Sequence, residues 1–134
     1  MIDIEYDVLD KVAKRVFSEF PKAYVTSEFV PKPPSFPCVM LREAGNTTLE
    51  RTVSSATNEN HVTVMYDLDV FSVKKNGRKQ EAKRIASLAD EAMLSIGFRR
   101  VMFEPVDNVS DSSVFRFKGR YTAVVSKDNI VYGR

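Results

Sequence analysis

The sequence has a single cysteine, Cys38, and no tryptophan. One cysteine cannot close an internal disulfide, so a disulfide framework is excluded and a reducing compartment is expected. Cys38 lies in the stretch FPCVML, which is typical of a buried strand, where a free cysteine behaves as a small hydrophobe. No motif supplies a partner that would make this thiol a nucleophile or a metal ligand.

Long apolar runs and glycine-rich loops are also missing. No run approaches the roughly 18 apolar residues of a membrane-spanning helix, and the acidic start MIDIEYD does not fit a signal peptide. Five scattered glycines exclude a phosphate-binding loop. The one histidine, His61, has no cysteine or second histidine to complete a triad or a zinc site. We therefore expect no membrane segment, no cofactor, no metal site and no conventional enzyme.

The bulk properties indicate one ordinary globular domain covering residues 1–134. Of these residues 43% are hydrophobic and 28% are charged, which is enough apolar material for a single core. The net charge of +2 is too small to argue for nucleic-acid binding by itself.

Two helices are predicted from apolar residues at helical spacing. The first runs from Asp3, placed to cap it, to Phe20, with Pro21 placed to end it. The second follows the KKNG turn and ends at Gly97. Its apolar stripe consists of Ala82, Ile85, Ala86, Ala89, Ala92, Met93 and Ile96. Its solvated side is expected to carry Lys79, Lys83, Arg84, Asp90 and Glu91.

Alternating patterns predict the strands. They cover residues 23–30, 37–42, 61–73, a stretch from 98 that ends at Pro105, the long strand from 112 to 125, and 130–132. The proline-rich PKPPSFP is expected to cross the surface in an extended form. Runs of adjacent strands linked by turns indicate an α+β fold, with a mostly antiparallel mixed sheet and two amphipathic helices on one face.

A long polar stretch at about residues 44–60 interrupts the strand pattern. A loop of this length is usually functional or ordered by a partner. Under that interpretation the segment is an arm whose candidate contacts are Thr47, Leu49, Arg51 and Val53. The alternative is a hairpin with exposed strands.

The strongest chemical pattern is a pair of charged rows. Arg116, Lys118 and Arg120 alternate along the last long strand, and Asp67 and Asp69 share one face of the 61–73 strand. If both strands belong to one antiparallel sheet, the two rows share the face away from the helices and neutralise each other. Leftover positive charge, or an acidic row on a neighbouring subunit, would make that face a subunit interface or a channel wall.

Two other functions use the same residues. A nucleic-acid-binding module would use the basic row with Phe117 or Tyr121 as stacking groups, although those aromatics point to the opposite face. A small hydrolase or metal enzyme would use Asp67 and Asp69, but no third ligand lies at a readable spacing.

Four segments together resemble the tail terminator, or tail completion, proteins of long-tailed bacteriophages and prophages, which are often labelled minor capsid or head-tail joining proteins. The segments are FPCVML, NENHVTVMYDLDVFS, NGRKQEAKRIASLADEAMLSIGFRRV and FRFKGRYTAVVSKDNIVYGR. They extend over about residues 36–134. The most similar positions are Lys79 and Glu81 in the third segment and Arg120 and Tyr121 in the fourth, and the match assigns them no contact.

This resemblance implies a structural virion protein located at the head-tail junction and assembled in the cytoplasm of a bacterial host. Its subunits would form a ring, usually a hexamer, that caps the completed tail tube and meets the head connector or head completion proteins. Genome DNA would pass through the lumen without specific binding. The resemblance also implies a mixed sheet with helices on one side, and no cofactor.

Overall fold

The computed structural model describes residues 2–48, 61–107 and 113–133. Two helices and six strands follow one another along the chain. They are α1 (Glu5–Phe17), β1 (Tyr24–Thr26), β2 (Cys38–Thr48), β3 (His61–Ser72), α2 (Arg78–Ile96), β4 (Arg99–Val106), β5 (Phe115–Ser126) and β6 (Val131–Tyr132).

The strands form one six-stranded sheet in the order β1-β2-β3-β5-β4, with β6 also paired to β5. Only the β1–β2 pair is parallel, and the other pairs are antiparallel. The predicted α+β fold with a mostly antiparallel mixed sheet is therefore confirmed.

The apolar faces of β3 and β5 form the floor of the core, as their period of two predicts. Valines and other apolar side chains at alternate positions are fully or almost fully buried. They are Val62, Val64, Tyr66, Leu68, Val70, Phe117, Tyr121, Ala123 and Val125. Each such Val or Leu contributes roughly 1.5–3 kcal/mol through the removal of its apolar surface from water.

Helix α2 lies on this floor, and α1 packs against α2. The buried stripe of α2 includes Ala82, Ala86 and Ala89, whose small side chains allow the helix to approach the sheet closely. Helix α1 buries Val8, Val12 and Val16, one per turn. Ion pairs of Arg15 with Glu91 and of Arg84 with Glu19 join the outer sides of the two helices.

The helix ends follow the sequence signals only in part. The cap residue of α1 is Ile4, which makes no side-chain cap hydrogen bond, so the prediction that Asp3 caps the helix is wrong, although Asp3 accepts the backbone N–H of Glu5 at 3.0 Å. Helix α1 also ends at Phe17, three residues earlier than expected. Helix α2 ends at Gly97, which has φ 115°, a conformation that side chains other than glycine rarely adopt.

Several predicted boundaries are wrong. Residues 44–48 belong to β2 rather than to a loop, because the chain continues to pair with β3 after an irregularity between Glu43 and Gly45. For these five residues the hairpin interpretation is correct, and residues 49–60 lie outside the described part of the chain. Pro105 lies inside β4 because β4 is an edge strand, where a missing N–H is tolerated.

The first predicted strand is also shorter than expected. Only Tyr24–Thr26 of residues 23–30 pairs with β2. Residues 27–37 contain neither helix nor strand, so the proline-rich segment forms no ladder, as predicted, but the chain bends at most of its positions and does not run extended. Within the described ranges, neither helix has the length and apolar character needed to cross a bilayer.

Candidate functional site: a charged sheet face

The side of the sheet away from the helices carries the predicted charged rows. In the β3–β5 register Asp67 is opposite Arg120 and Asp69 is opposite Lys118. Directly opposed residues of antiparallel strands share a face, so acids and bases meet here. The charged face is defined as Arg42, Asp67, Asp69, Arg116, Lys118 and Arg120.

Asp67 is held mainly by Arg120. The Nε of Arg120 donates to Oδ1 of Asp67 at 2.8 Å, and its Nη2 donates to Oδ2 at 3.3 Å. The Nζ of Lys118 lies 3.9 Å from the same Oδ2. Burial by itself raises the pKa of the Asp67 carboxyl, but the hydrogen bond and charge of Arg120, helped by Lys118 and Arg42, outweigh it and lower the pKa. Asp67 therefore stays ionised at neutral pH although only 7% of it is exposed.

Asp69 is the most deeply buried acid of the face, with 1% of its surface exposed. It accepts from Nε of Arg116 at 3.0 Å, and Nη2 of Arg116 lies 2.9 Å from the same Oδ1. From the other side, Nη2 of Arg42 lies 3.6 Å from Oδ2. Two guanidinium groups therefore share one buried carboxylate.

Arg42 is a member of this face that the sequence reasoning missed. It lies on β2 opposite Asp67. The sequence does not show which strand pairs with β2, so this contact could not be predicted. Its Nε is buried without a hydrogen-bond partner among the described residues. Once β2 is known to pair with β3, the period of two places Arg42 and Met40 on the same face as Asp67 and Asp69.

Aromatic rings cover part of the guanidinium groups. Phe29, from the segment after β1, lies 5.4 Å from the guanidinium carbon of Arg42, and Phe71 lies 5.4 Å from that of Arg116. Such contacts contribute roughly 0.5–1 kcal/mol at exposed sites. The arginines are thus held in fixed positions, and the side chains of Arg116 and Arg120 remain 29% and 38% exposed.

The charged face carries more positive than negative charge. Two carboxylates meet four cations, and the next acid, Glu104 on β4, is opposite Lys118 in the register. The face is therefore largely neutralised from within, as the sequence predicted, with a positive remainder at its surface.

Cys38 lies at one border of this face and is fully buried. Burial, together with the negative charge of Asp69, raises the pKa of the Cys38 thiol to about 11. The thiol is therefore protonated and unreactive at neutral pH. This agrees with the interpretation of Cys38 as a small hydrophobe.

The arm candidates are placed only in part. Thr47 is exposed on β2 opposite Thr63, whereas Leu49, Arg51 and Val53 lie outside the described residues.

A second buried carboxylate lies on the helix side of the sheet, and the sequence analysis placed it wrongly. Asp90, expected on the solvated side of α2, is only 8% exposed. It accepts the hydroxyl of Tyr121 at 2.6 Å and Nη1 of Arg100 at 3.0 Å. Asp90 follows Ala86 by four residues and precedes Met93 by three, a spacing that puts all three on one helix side.

The other positions singled out in the sequence have ordinary surroundings. His61 begins β3, as predicted, and its ring lies 6.2 Å from that of Tyr132. Glu81 accepts the hydroxyl of Ser72 at 2.8 Å, and Lys79 is exposed. Across residues 2–48, 61–107 and 113–133 no three acidic, histidine or cysteine side chains are grouped for metal binding.

The sequence matches no protein-family model, and a search of curated proteins returns no match either.

Proposed function

We propose that this chain is a structural virion protein that caps the completed tail tube of a long-tailed bacteriophage and joins the tail to the head. Copies of the chain form a ring, with six subunits as the expected number. The ring contacts the major tail tube protein on one side and the head connector or head completion proteins on the other. Genome DNA passes through it without specific binding. The protein is assembled in the bacterial cytoplasm, remains in the virion, and works without a cofactor or catalytic step.

The observation that carries this proposal is the charged face. Its arginines are fixed by buried carboxylates and aromatic rings, so little side-chain entropy is lost when a neighbouring subunit binds. A closed ring needs two different, complementary patches on each subunit, and a fixed positive remainder supplies one of them. The sequence segments that resemble the tail terminator proteins, and the α+β fold that this resemblance implies, support the same proposal.

The proposal is tested by light scattering and electron microscopy of the purified protein, alone and with tail tubes of a long-tailed phage. Rings are expected in solution or at the tube ends. A protein that stays monomeric under both conditions contradicts the proposal.

A charge exchange tests the role of the charged face while keeping an opposite pair across β3 and β5. In the variant Asp67→Arg/Arg120→Asp the two charges still face each other, but the contact between Asp67 and Lys118 is lost, so the subunit is expected to be less stable, and urea denaturation first shows that the variant is folded. The positive group, however, moves by one strand spacing, about 5 Å, and ring formation is expected to weaken. Lys127→Asp, an exposed change in the β5–β6 turn, is the control. Unchanged ring formation by the exchange variant would exclude this face from the interface.

The second candidate is a nucleic-acid-binding module on the same face. The exposed ring of Phe29 beside Arg42 favours it, because aromatic and cationic groups together bind single strands. Phe117 and Tyr121 are buried beneath α2 and have no access to bases, and Asp67 and Asp69 already occupy the arginines. A monomer that binds DNA with a steep salt dependence would favour this candidate over the ring.

A further inference from the structure

An open pocket lies between the start of α1, the end of α2 and β6. Its volume is about 290 Å³. This is just below the roughly 300–1,000 Å³ of small-molecule sites, so the pocket suits a single side chain. The end pocket is defined by its apolar residues Ile4, Val8, Ile96 and Val131 and its acidic residues Asp7 and Asp10.

The end pocket combines an apolar floor with carboxylates from α1. Its apolar residues belong to the hydrophobic core or pack against it, and Ile96 and Val131 are only partly buried. Asp10 pairs with Lys14 at 3.0 Å. Asp7 is exposed, and no ion pair among the described residues engages it. A group with an apolar body and a neighbouring positive charge therefore complements both parts of the pocket.

The charged face presents such a group at Phe29. The ring of Phe29 is 62% exposed and lies 5.4 Å from the guanidinium carbon of Arg42. Arg42 is held in turn by Asp69, whose Oδ2 lies 3.6 Å from Nη2 of Arg42. The chain next to Phe29 is fixed by the N–H of Glu28, which donates to Oγ1 of Thr26 at 3.1 Å. The exposed ring is thus preorganised, so little conformational entropy is lost when it is buried by a partner.

Phe29 and the end pocket lie on opposite sides of the sheet. The pocket is lined by residues from α1 and α2, which cover the apolar side, whereas Phe29 contacts Arg42 on the charged face. The ring of Phe29 therefore does not reach the pocket of its own subunit. A second copy of the chain carries both the ring and the neighbouring cation that the pocket fits.

We infer that Phe29 of one copy of this chain inserts into the end pocket of a second copy, with Arg42 beside Asp7. Burial of the ring removes apolar surface of both copies from water. Arg42 shares Asp69 with Arg116, so its charge is only partly compensated within the subunit, and Asp7 complements the remainder. Contact between two different surfaces is head-to-tail and builds a closed ring or an open filament.

This contact rests on the self-association in the proposed function and supplies the second surface that a ring needs. It does not depend on the tail tube or the head connector. A small apolar molecule is the other class of occupant for a pocket of this size. The unpaired carboxylate of Asp7, together with the exposed aromatic ring beside a cation on the same chain, favours the second copy.

Phe29→Ala removes the inserted ring and leaves the pocket intact. Sedimentation velocity is expected to show association of the wild type and an association of Phe29→Ala that is weaker by roughly tenfold or more, the effect of truncating an aromatic side chain at the centre of an interface. The variant is expected to remain folded, because the ring is exposed in the isolated subunit. Phe17→Ala, at another exposed phenylalanine, is the matched control and is expected to associate like the wild type.

Asp7→Lys spoils the pocket and leaves Phe29 intact. A lysine at this exposed position places a positive charge where Arg42 of the second copy is expected, so association is expected to weaken. An equimolar mixture of Phe29→Ala and Asp7→Lys is expected to form dimers and nothing larger. In such a dimer the intact ring of one variant enters the intact pocket of the other, and the two remaining surfaces are both defective.

The outcomes separate this inference from the proposed function. A folded Phe29→Ala that associates like the wild type overturns the inference and leaves the ring possible through other parts of the charged face. Unchanged association of Asp7→Lys leaves the pocket to a small molecule and also overturns it. So does a mixture that forms no dimers, with circular dichroism showing both variants folded. If Asp7→Lys is unfolded, Phe29→Ala and its control decide.

The behaviour of the wild type completes the test. If it assembles only on tail tubes, the same variants are compared there by electron microscopy. A wild type that stays monomeric alone and with tubes overturns the inference and contradicts the proposed function, and binding of single-stranded DNA by that monomer would assign Phe29 to the second candidate. Association that depends on Phe29 without any binding to tail tubes supports the inference and counts against the virion role.

Discussion

Asp67 and Tyr66 are neighbours in β3 but point to opposite sides of the sheet, into two differently built charged regions. On the charged face, both buried carboxylates have an arginine nitrogen within 3 Å. On the helix side, Glu43 lies opposite Tyr66, and no basic side chain among the described residues forms an ion pair with it.

The pKa values of Asp67 and Glu43 shift in opposite directions. The pKa of Asp67 is lowered because Arg120 outweighs burial, whereas the pKa of Glu43 is raised because burial and two acids act together. The ionised form of Asp67 is therefore stabilised by folding, and the ionised form of Glu43 is destabilised by it. The charged face compensates the burial of its carboxylates with cations, and no ion pair among the described residues does the same for Glu43.

The largest loss in the free energy of unfolding is expected when Asp69 is removed. Asp69→Ala leaves Arg116 and Arg42 without the carboxylate they share, and loss of one partner of a buried pair costs about 3 kcal/mol. Urea denaturation of wild type and variant at pH 7 measures the loss. Asp128→Ala, at an exposed turn position, is the control and should cost less than about 0.5 kcal/mol. Equal losses for the two variants would mean that the charged face does not stabilise the subunit.

Tyr121→Phe tests whether a satisfied carboxylate on the helix side behaves like those on the charged face. The variant removes the 2.6 Å hydrogen bond to Asp90 and leaves Asp90 with Arg100 alone. We expect a loss of about 1–2 kcal/mol in the free energy of unfolding, because the hydrogen bond is made to a buried ionised group. Tyr24→Phe, at a half-buried tyrosine of β1, is the matched control for deletion of a hydroxyl. A loss no larger than that of the control would show that Arg100 alone satisfies Asp90.

The stability that Asp67 contributes to the charged face should depend on pH. Because the folded pKa of Asp67 is below its unfolded value of about 3.9, its stabilisation is fully present above about pH 5 and is lost as the pH falls through the folded pKa. Asp67→Asn should therefore be about 1 kcal/mol less stable than wild type at pH 7. Urea denaturation from pH 7 to pH 3 should show the two curves converging at low pH. Glu28→Gln, an exposed control, should keep a constant difference from wild type, and curves for Asp67→Asn that stay parallel would contradict the assignment.

The charged face was largely predictable from the sequence, and the surroundings of Glu43 and Asp90 were not. Period-two alternation placed Asp67, Asp69 and the basic row of β5 on one side, and antiparallel pairing then required them to meet. Arg42 ends the predicted 37–42 strand and Glu43 lies just beyond it, and neither could be assigned a partner because the sequence does not show that β2 pairs with β3. Asp90 was missed because a carboxylate on an apolar helix stripe is interpretable only when its partners, Tyr121 and Arg100, are known.

The smallest expected effect concerns Glu43 and has the opposite pH dependence to that of Asp67. The folded pKa of Glu43 lies above its unfolded value of about 4.3, so its contribution to stability is fully present below that value and is lost as the pH rises through the folded pKa. Glu43→Gln should therefore be a few tenths of a kcal/mol more stable than wild type at pH 7, a gain kept small by solvent screening at this half-exposed position. The gain should shrink as the pH falls through the folded pKa of Glu43, and Glu28→Gln should show no such change. A gain that grows as the pH falls would place a cation beside Glu43 and remove the contrast between Glu43 and the charged face.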